Sequence, residues 1–198
     1  MSMSEAVLEI ISPQDLPIII DMPYATHHNI TARPIYQAPV LALHPDAAQV
    51  LRQAVKLAAQ AGLQLKVFDG YRPAAAQWQL WHALPDATYV KPPQIGSNHT
   101  RGVALDLTLV DANGQELDMG TGFDSMETAS HHFAPDLSAQ VYHNRLLLIA
   151  IMAAAGMQHL ATEWWHYELP NALKRYPLID SEVVPTCTYE DVWLPTKD

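Results

Sequence analysis

The chain has 198 residues, about half of them apolar, a formal net charge of −10 and one cysteine, Cys187. That length suits a single domain with a core that needs no staples, and the apolar share excludes a disordered chain. The acidity excludes nucleic acid and anionic membranes as main partners, because both demand clustered Lys and Arg, and one thiol, expected to be structural or surface-lying, cannot close an internal disulfide.

The first residues have no basic start, and their short apolar patch is broken by Glu9 and Pro13, so they are not read as a secretion signal. No run reaches the roughly 18 apolar residues of a membrane span, and a cytoplasmic location is expected. Residues 13–45 are rich in Pro, His and Asn and are expected to be irregular, apart from a strand at Ile18–Asp21. A helix is predicted after Pro45, capped by Asp46 and closed by Gly62, with Val50, Leu51, Ala54, Val55, Leu57 and Ala58 as its core stripe. Leu63–Phe68 alternates as a strand, residues 69–73 turn the chain, and a second helix follows over Ala74–Leu84. Pro85, Pro92 and Pro93 keep the next segment irregular.

Val103–Val110 reads as another strand, with Val103, Leu105, Leu107 and Leu109 on one face and Ala104, Asp106 and Thr108 on the other. Residues 111–114 signal a turn, and 114–136 form a long polar loop of the kind that often carries function. Ser138–Ala155 is a buried helix ending at Gly156, and strands follow at Met157–Leu160 and Trp164–Glu168. The fold class expected is α+β: residues 1–198 as one domain, with a small, mainly antiparallel sheet flanked by helices.

Two stretches carry the chemistry. Residues 97–106 supply His99 and Asp106, and residues 163–166 supply Glu163 and His166. Two imidazoles and a carboxylate are the donors of a catalytic zinc site, and a fourth position left to water lowers the pKa of that water to about 7. A second carboxylate is then needed to take the proton and pass it to a leaving amine. His99 and Asp106 stand an odd number of positions apart, so His99 is placed in a loop before the strand, where Gly102 frees the turn. Glu163 and His166 in a straight strand would be about 10 Å apart on opposite faces. A bulge, bend or helical turn is therefore predicted between Thr162 and His166.

Arg72, at the end of a strand, has two readings: a salt bridge with a carboxylate such as Asp69, or an electrophile aimed at a developing oxyanion. His27, His28, His131 and His132 are read as ordinary polar residues, and Trp164 and Trp165 as core.

With these residues in hand, Ser97–Asp106 resembles the Ser-x-His-x-x-Gly-x-Ala-x-Asp signature of the zinc D-alanyl-D-alanine dipeptidases, peptidase family M15, subfamily D. Residues 163–167 resemble their second signature, 69–73 their arginine segment, and 119–124 with 130–132 their long loop. Tyr24–Thr26 and Asn29–Thr31 resemble their N-terminal region, so the likeness runs in order from Tyr24 to Tyr167. It implies the fold shared by metallo-D,D-carboxypeptidases and the Hedgehog signalling domain. It implies one Zn²⁺ per chain on His99, Asp106 and His166, with Glu163 as general base and Arg72 stabilising the tetrahedral intermediate. Ser97 and Asp124 would hold the substrate's ammonium, and Tyr24 would line the pocket. The stretch between Arg72 and Ser97 is shorter than in the vancomycin-resistance members and closer to the cytoplasmic members without a resistance role.

The expected reaction is hydrolysis of a small zwitterionic dipeptide, D-Ala-D-Ala; a homo-oligomer is compatible with it. The rivals are a D,D- or L,D-carboxypeptidase acting on cell-wall peptides and a zinc-stabilised binding domain.

Overall fold

The computed structural model describes residues 8–179; Cys187 lies outside them. The strands are β1 (Glu9–Ile11), β2 (Ile19–Ile20), β3 (Leu41–Leu43), β4 (Gln64–Asp69), β5 (Ala104–Val110), β6 (Gln158–Leu160) and β7 (Glu163–Glu168). The helices are α1 (Pro45–Gln60), α2 (Ala74–Ala83), α3 (Ala139–Ala155) and the short α4 (Ala172–Arg175). The class is α+β. The main sheet runs β2-β4-β5-β7-β6, parallel only between β2 and β4.

A second sheet, the antiparallel pair β1 and β3, was not expected, and β3 lies within the residues read as irregular. The three residues of β3 are all buried, so this short apolar run between Pro39 and Pro45 becomes a strand through tertiary burial, not through period.

α1 differs from expectation at its cap. Pro45 takes the first helical position, where its missing N–H costs nothing, and His44 rather than Asp46 is the N-cap, accepting from the Asp46 amide. Asp46 instead lies in the first turn, where the helix dipole favours a carboxylate. α3 starts on Ser138, whose side chain accepts from the Val141 amide, and stops at left-handed Gly156. α1 and α3 pack together, and α1 also rests on β4.

Cross-strand pairing explains where the chemistry can sit. Leu65 opposes Leu109 and Val67 opposes Leu107, which belong to the main core. β5 is central, so all its residues are buried, Asp106 included. A register break between Val67 and Asp69 brings Asp69 opposite Asp106, and Asp106 in turn opposes His166. Asp69, Asp106 and His166 therefore form one row across three adjacent strands, at the spacing where directly opposed side chains meet.

Gly70 closes this row. A β-carbon there would lie 2.5 Å from Leu41 Cδ1 and 3.1 Å from the Ala42 carbonyl oxygen. Gly70→Ala is expected to cost about 1–3 kcal/mol through overpacking, read as a lower urea midpoint. An unchanged midpoint would show that β3 can retreat freely.

Candidate active site and metal centre

The turn that precedes β5 is tight. Gly102 donates to the His99 carbonyl, Val103 donates to Asn98, and Gly102 adopts φ 69°. This turn delivers His99 to the row just described, as its loop placement required. Its Nε2 lies 3.1 Å from His166 Nδ1 and 3.3 Å from Asp106 Oδ1, and His166 Nδ1 lies 3.1 Å from Asp106 Oδ1. The three atoms form a nearly equilateral triangle. A tetrahedral zinc site with bonds of about 2.0–2.1 Å has edges of about 3.3–3.4 Å, so the triangle fits one face of such a site. Among the described residues, these are the one group of three or more His, Cys, Asp or Glu with converging ligand atoms.

The far side of each ring is also fixed. His99 Nδ1 lies 2.8 Å from the Gly70 carbonyl, and His166 Nε2 lies 3.1 Å from Glu168 Oε2. Acceptors there make the outer nitrogens donors and leave the inner ones free to ligate. Asn98 and Gln158 in turn donate to Glu168, at 2.7 and 3.1 Å. In the ion-free protein, burial would lower the His166 pKa, but bonds to Asp106 and Glu168 outweigh it and push it up to about 10. Burial works against the Asp106 carboxylate, yet His99 and His166 hold its pKa well below the usual range.

β7 carries the predicted irregularity. His159 opposes Tyr167, but Leu160 opposes Glu163, so residues 164–166 fall out of register. Glu163 and His166 thereby share a side, with Glu163 Oε2 3.9 Å from His166 Nδ1. Glu163 is buried, and its Oε1 has no hydrogen-bond partner among the described residues. Burial pushes its pKa up to about 8 against the pull of His166.

The salt-bridge reading of Arg72 is realised. Its Nε and Nη2 lie 2.9 and 2.8 Å from Asp69 Oδ2, Nη1 donates to Gln77 at 3.0 Å, and Nη2 lies 3.4 Å from Asp106 Oδ2. Asp69 is fully buried and also accepts from Tyr36 and the Gly70 amide. The guanidinium stands 5.1 Å over the Tyr24 ring. The fork is therefore locked while still facing the cavity.

Asp124, at left-handed φ 60°, turns its carboxylate inward from the long loop. Tyr24 donates to its Oδ1 at 2.9 Å, and its Oδ2 is buried without a partner among the described residues. Burial pushes its pKa up to about 7, with Arg72 and Tyr24 opposing. Ser97 is buried, and its Oγ accepts from the His99 amide at 3.2 Å. Tyr24, Arg72, Ser97, His99, Asp106, Asp124, Glu163 and His166 all line one cavity of about 380 Å³.

Trp164 and Trp165 are core as expected, though Trp165 also forms cavity wall. His132 departs from expectation: it is buried, neither ring nitrogen has a partner among the described residues, and burial pushes its pKa down to about 3. Asp69 was foreseen only as a partner for Arg72. Gln77 and Glu168 were missed, although Glu168 stands two residues after His166, the spacing at which a strand repeats a face.

Residues 14–184 match the family model described as D-ala-D-ala dipeptidase. The chain is 48% identical over 160 residues to a D-alanyl-D-alanine dipeptidase of Escherichia coli, covering 81% of this chain and 82% of that protein. It is 34% identical over 184 residues to one of Enterococcus faecium, covering 80% and 91%. It is 36% identical over 170 residues to one of Streptomyces coelicolor, covering 75% and 84%.

Proposed function

Because this chain belongs to the D-Ala-D-Ala dipeptidase family of the M15 peptidases, we propose that it hydrolyses free D-Ala-D-Ala to two D-alanines, with one zinc ion per chain on His99, Asp106 and His166. One observation carries the reading: a triangle of donor atoms sized for an ion shares a cavity with two buried carboxylate oxygens that have no donor among the described residues. Two imidazole nitrogens and a carboxylate oxygen suit zinc, and three protein ligands leave a coordination position open. When bound, the zinc supplies a Lewis acid that polarises the scissile carbonyl and acidifies a water.

The rest is done by side chains. Glu163 takes the proton from the attacking water through its unpaired oxygen and returns it to the leaving amine. Arg72, held by Asp69 and Gln77, donates to the oxygen on which negative charge develops. Asp124 Oδ2, steadied through Tyr24, accepts the substrate's ammonium, with Ser97 helping at that end. The dipeptide is thus measured from its free amine, and in this proposal it is met in the cytoplasm as part of cell-wall metabolism. Among the described residues no helix is long and apolar enough to cross a membrane.

The deciding experiment compares D-Ala-D-Ala with its N-acetylated form on the zinc-loaded protein. A site that spends a buried carboxylate on an ammonium should reject the blocked substrate by about 10⁴-fold or more in kcat/KM. Equal cleavage of both would replace the dipeptidase with a carboxypeptidase. Glu168→Gln is expected to bind zinc about 10–100-fold more weakly, since the carboxylate behind His166 is lost, as read by competition with a chelator.

A further inference from the structure

The loop that bears Asp124 has no regular structure beyond one 3-10 turn, Thr128–Ser130, yet it must hold a carboxylate in place. Its neck is gripped by one turn of α3. Asn144 donates to the Asp118 carbonyl at 2.8 Å, and Tyr142 donates to Ala134 at 2.6 Å. Next to Asn144 stands Arg145, 1% exposed. It donates from Nε to Met119 at 2.8 Å, from Nη1 to His131 at 2.6 Å and from Nη2 to Ala129 at 2.8 Å, and Nη2 also reaches Met119. All of these acceptors are main-chain carbonyls, and they lie on both strands of the neck.

Burying a guanidinium costs several kcal/mol unless its hydrogen bonds are well made. Here one planar fork ties residue 119 to residues 129 and 131 and so closes the loop into an Ω shape. The enclosed segment carries Phe123, stacked on Phe68, and Asp124 and Met126, which line the cavity. Gly120 is part of the same fit: a β-carbon there would meet Val141 at 3.0 Å and Arg145 Nη2 at 3.4 Å.

We infer that Arg145 is a positioning residue for substrate selection, setting the place of Asp124 by clamping the neck of its loop. This rests on the reading of Asp124 as the ammonium acceptor. Arg145 is not among the residues that line the cavity; a lysine could reach one carbonyl but not bridge three.

The test uses full-length, zinc-loaded Arg145→Met and Arg145→Lys, assayed on D-Ala-D-Ala and N-acetyl-D-Ala-D-Ala. Misplacing the anchor should lower kcat/KM for the free dipeptide by about 100-fold in Arg145→Met, mostly through KM, with Arg145→Lys between it and wild type. The preference for the free amine should collapse, while zinc stoichiometry stays at one. A wild-type kcat/KM, or a loss equal on both substrates with the preference intact, would overturn the inference. If wild type itself shows no such preference, the reading of Asp124 fails and not the clamp. Hydrogen exchange of the wild-type loop decides if neither variant folds: slow exchange over residues 119–131 supports the clamp, and exchange at the rate of a free loop refutes it.

Discussion

Glu163→Gln is expected to bind one zinc ion per chain with wild-type affinity and to hydrolyse D-Ala-D-Ala about 10²–10⁴-fold more slowly. Glutamine keeps the shape and the hydrogen-bonding capacity of the side chain but cannot carry a proton away from water. The ligand triangle contains no atom of Glu163, so the ion should remain. Isothermal titration with zinc, beside a D-alanine release assay, separates the two effects. Retained activity would remove Glu163 from the reaction, and lost zinc would make it a ligand.

The same variant has a pH signature in the chelator-stripped protein. Burial raises the Glu163 pKa from 4.5 to about 8, so the folded state holds that proton more tightly than the unfolded chain. The stabilisation is complete below about pH 4.5 and drains away as pH climbs through about 8. Glutamine has no proton to lose. Relative to wild type, Glu163→Gln should therefore gain on the order of 3–5 kcal/mol between about pH 5 and pH 9, seen as diverging urea midpoints. Parallel midpoints would mean that Glu163 is ionised throughout.

Arg72→Lys carries the second large effect, a fall of about 10²–10³-fold in kcat with little change in zinc binding. Lysine preserves the charge but cannot hold Asp69 with two nitrogens while reaching Gln77 and Asp106. Arg72→Met should in addition unfold more easily, by about 3–5 kcal/mol, because it strands the fully buried Asp69. The pair of variants divides the electrostatic role from the structural one: a wild-type kcat in Arg72→Lys would leave the arginine with structure alone.

Much of this was legible in the sequence, for identifiable reasons. Helices α1 and α3 announce themselves through apolar stripes and end signals, and β5 through strict alternation. The mismatch between residue spacing and shared duty at Glu163 and His166 forced a bulge, and the register break is there. What stayed hidden depends on partners distant along the chain. Nothing local marks Leu41–Leu43 as a strand, since it pairs with β1 and buries Leu41 and Leu43 in the main core. Asp69 reaches the row only through a register break opposite β5, which no periodicity records. His132 looks like any loop histidine until the edge of the main sheet closes over it, placing it against His159 and Tyr167.

The row that runs Asp69, Asp106, His166 has a practical corollary. Asp106 and His166 are spaced by main-chain ladder bonds of central strands, and main-chain bonds close the turn that carries His99, so under the proposed function the receptacle should stand before any ion arrives. Association would then carry little folding penalty, unlike a zinc finger that is shapeless when empty. Stripping the protein with a chelator and refilling it with cobalt or manganese should be reversible without denaturation, and any difference in rate would belong to the ion rather than to a rebuilt scaffold.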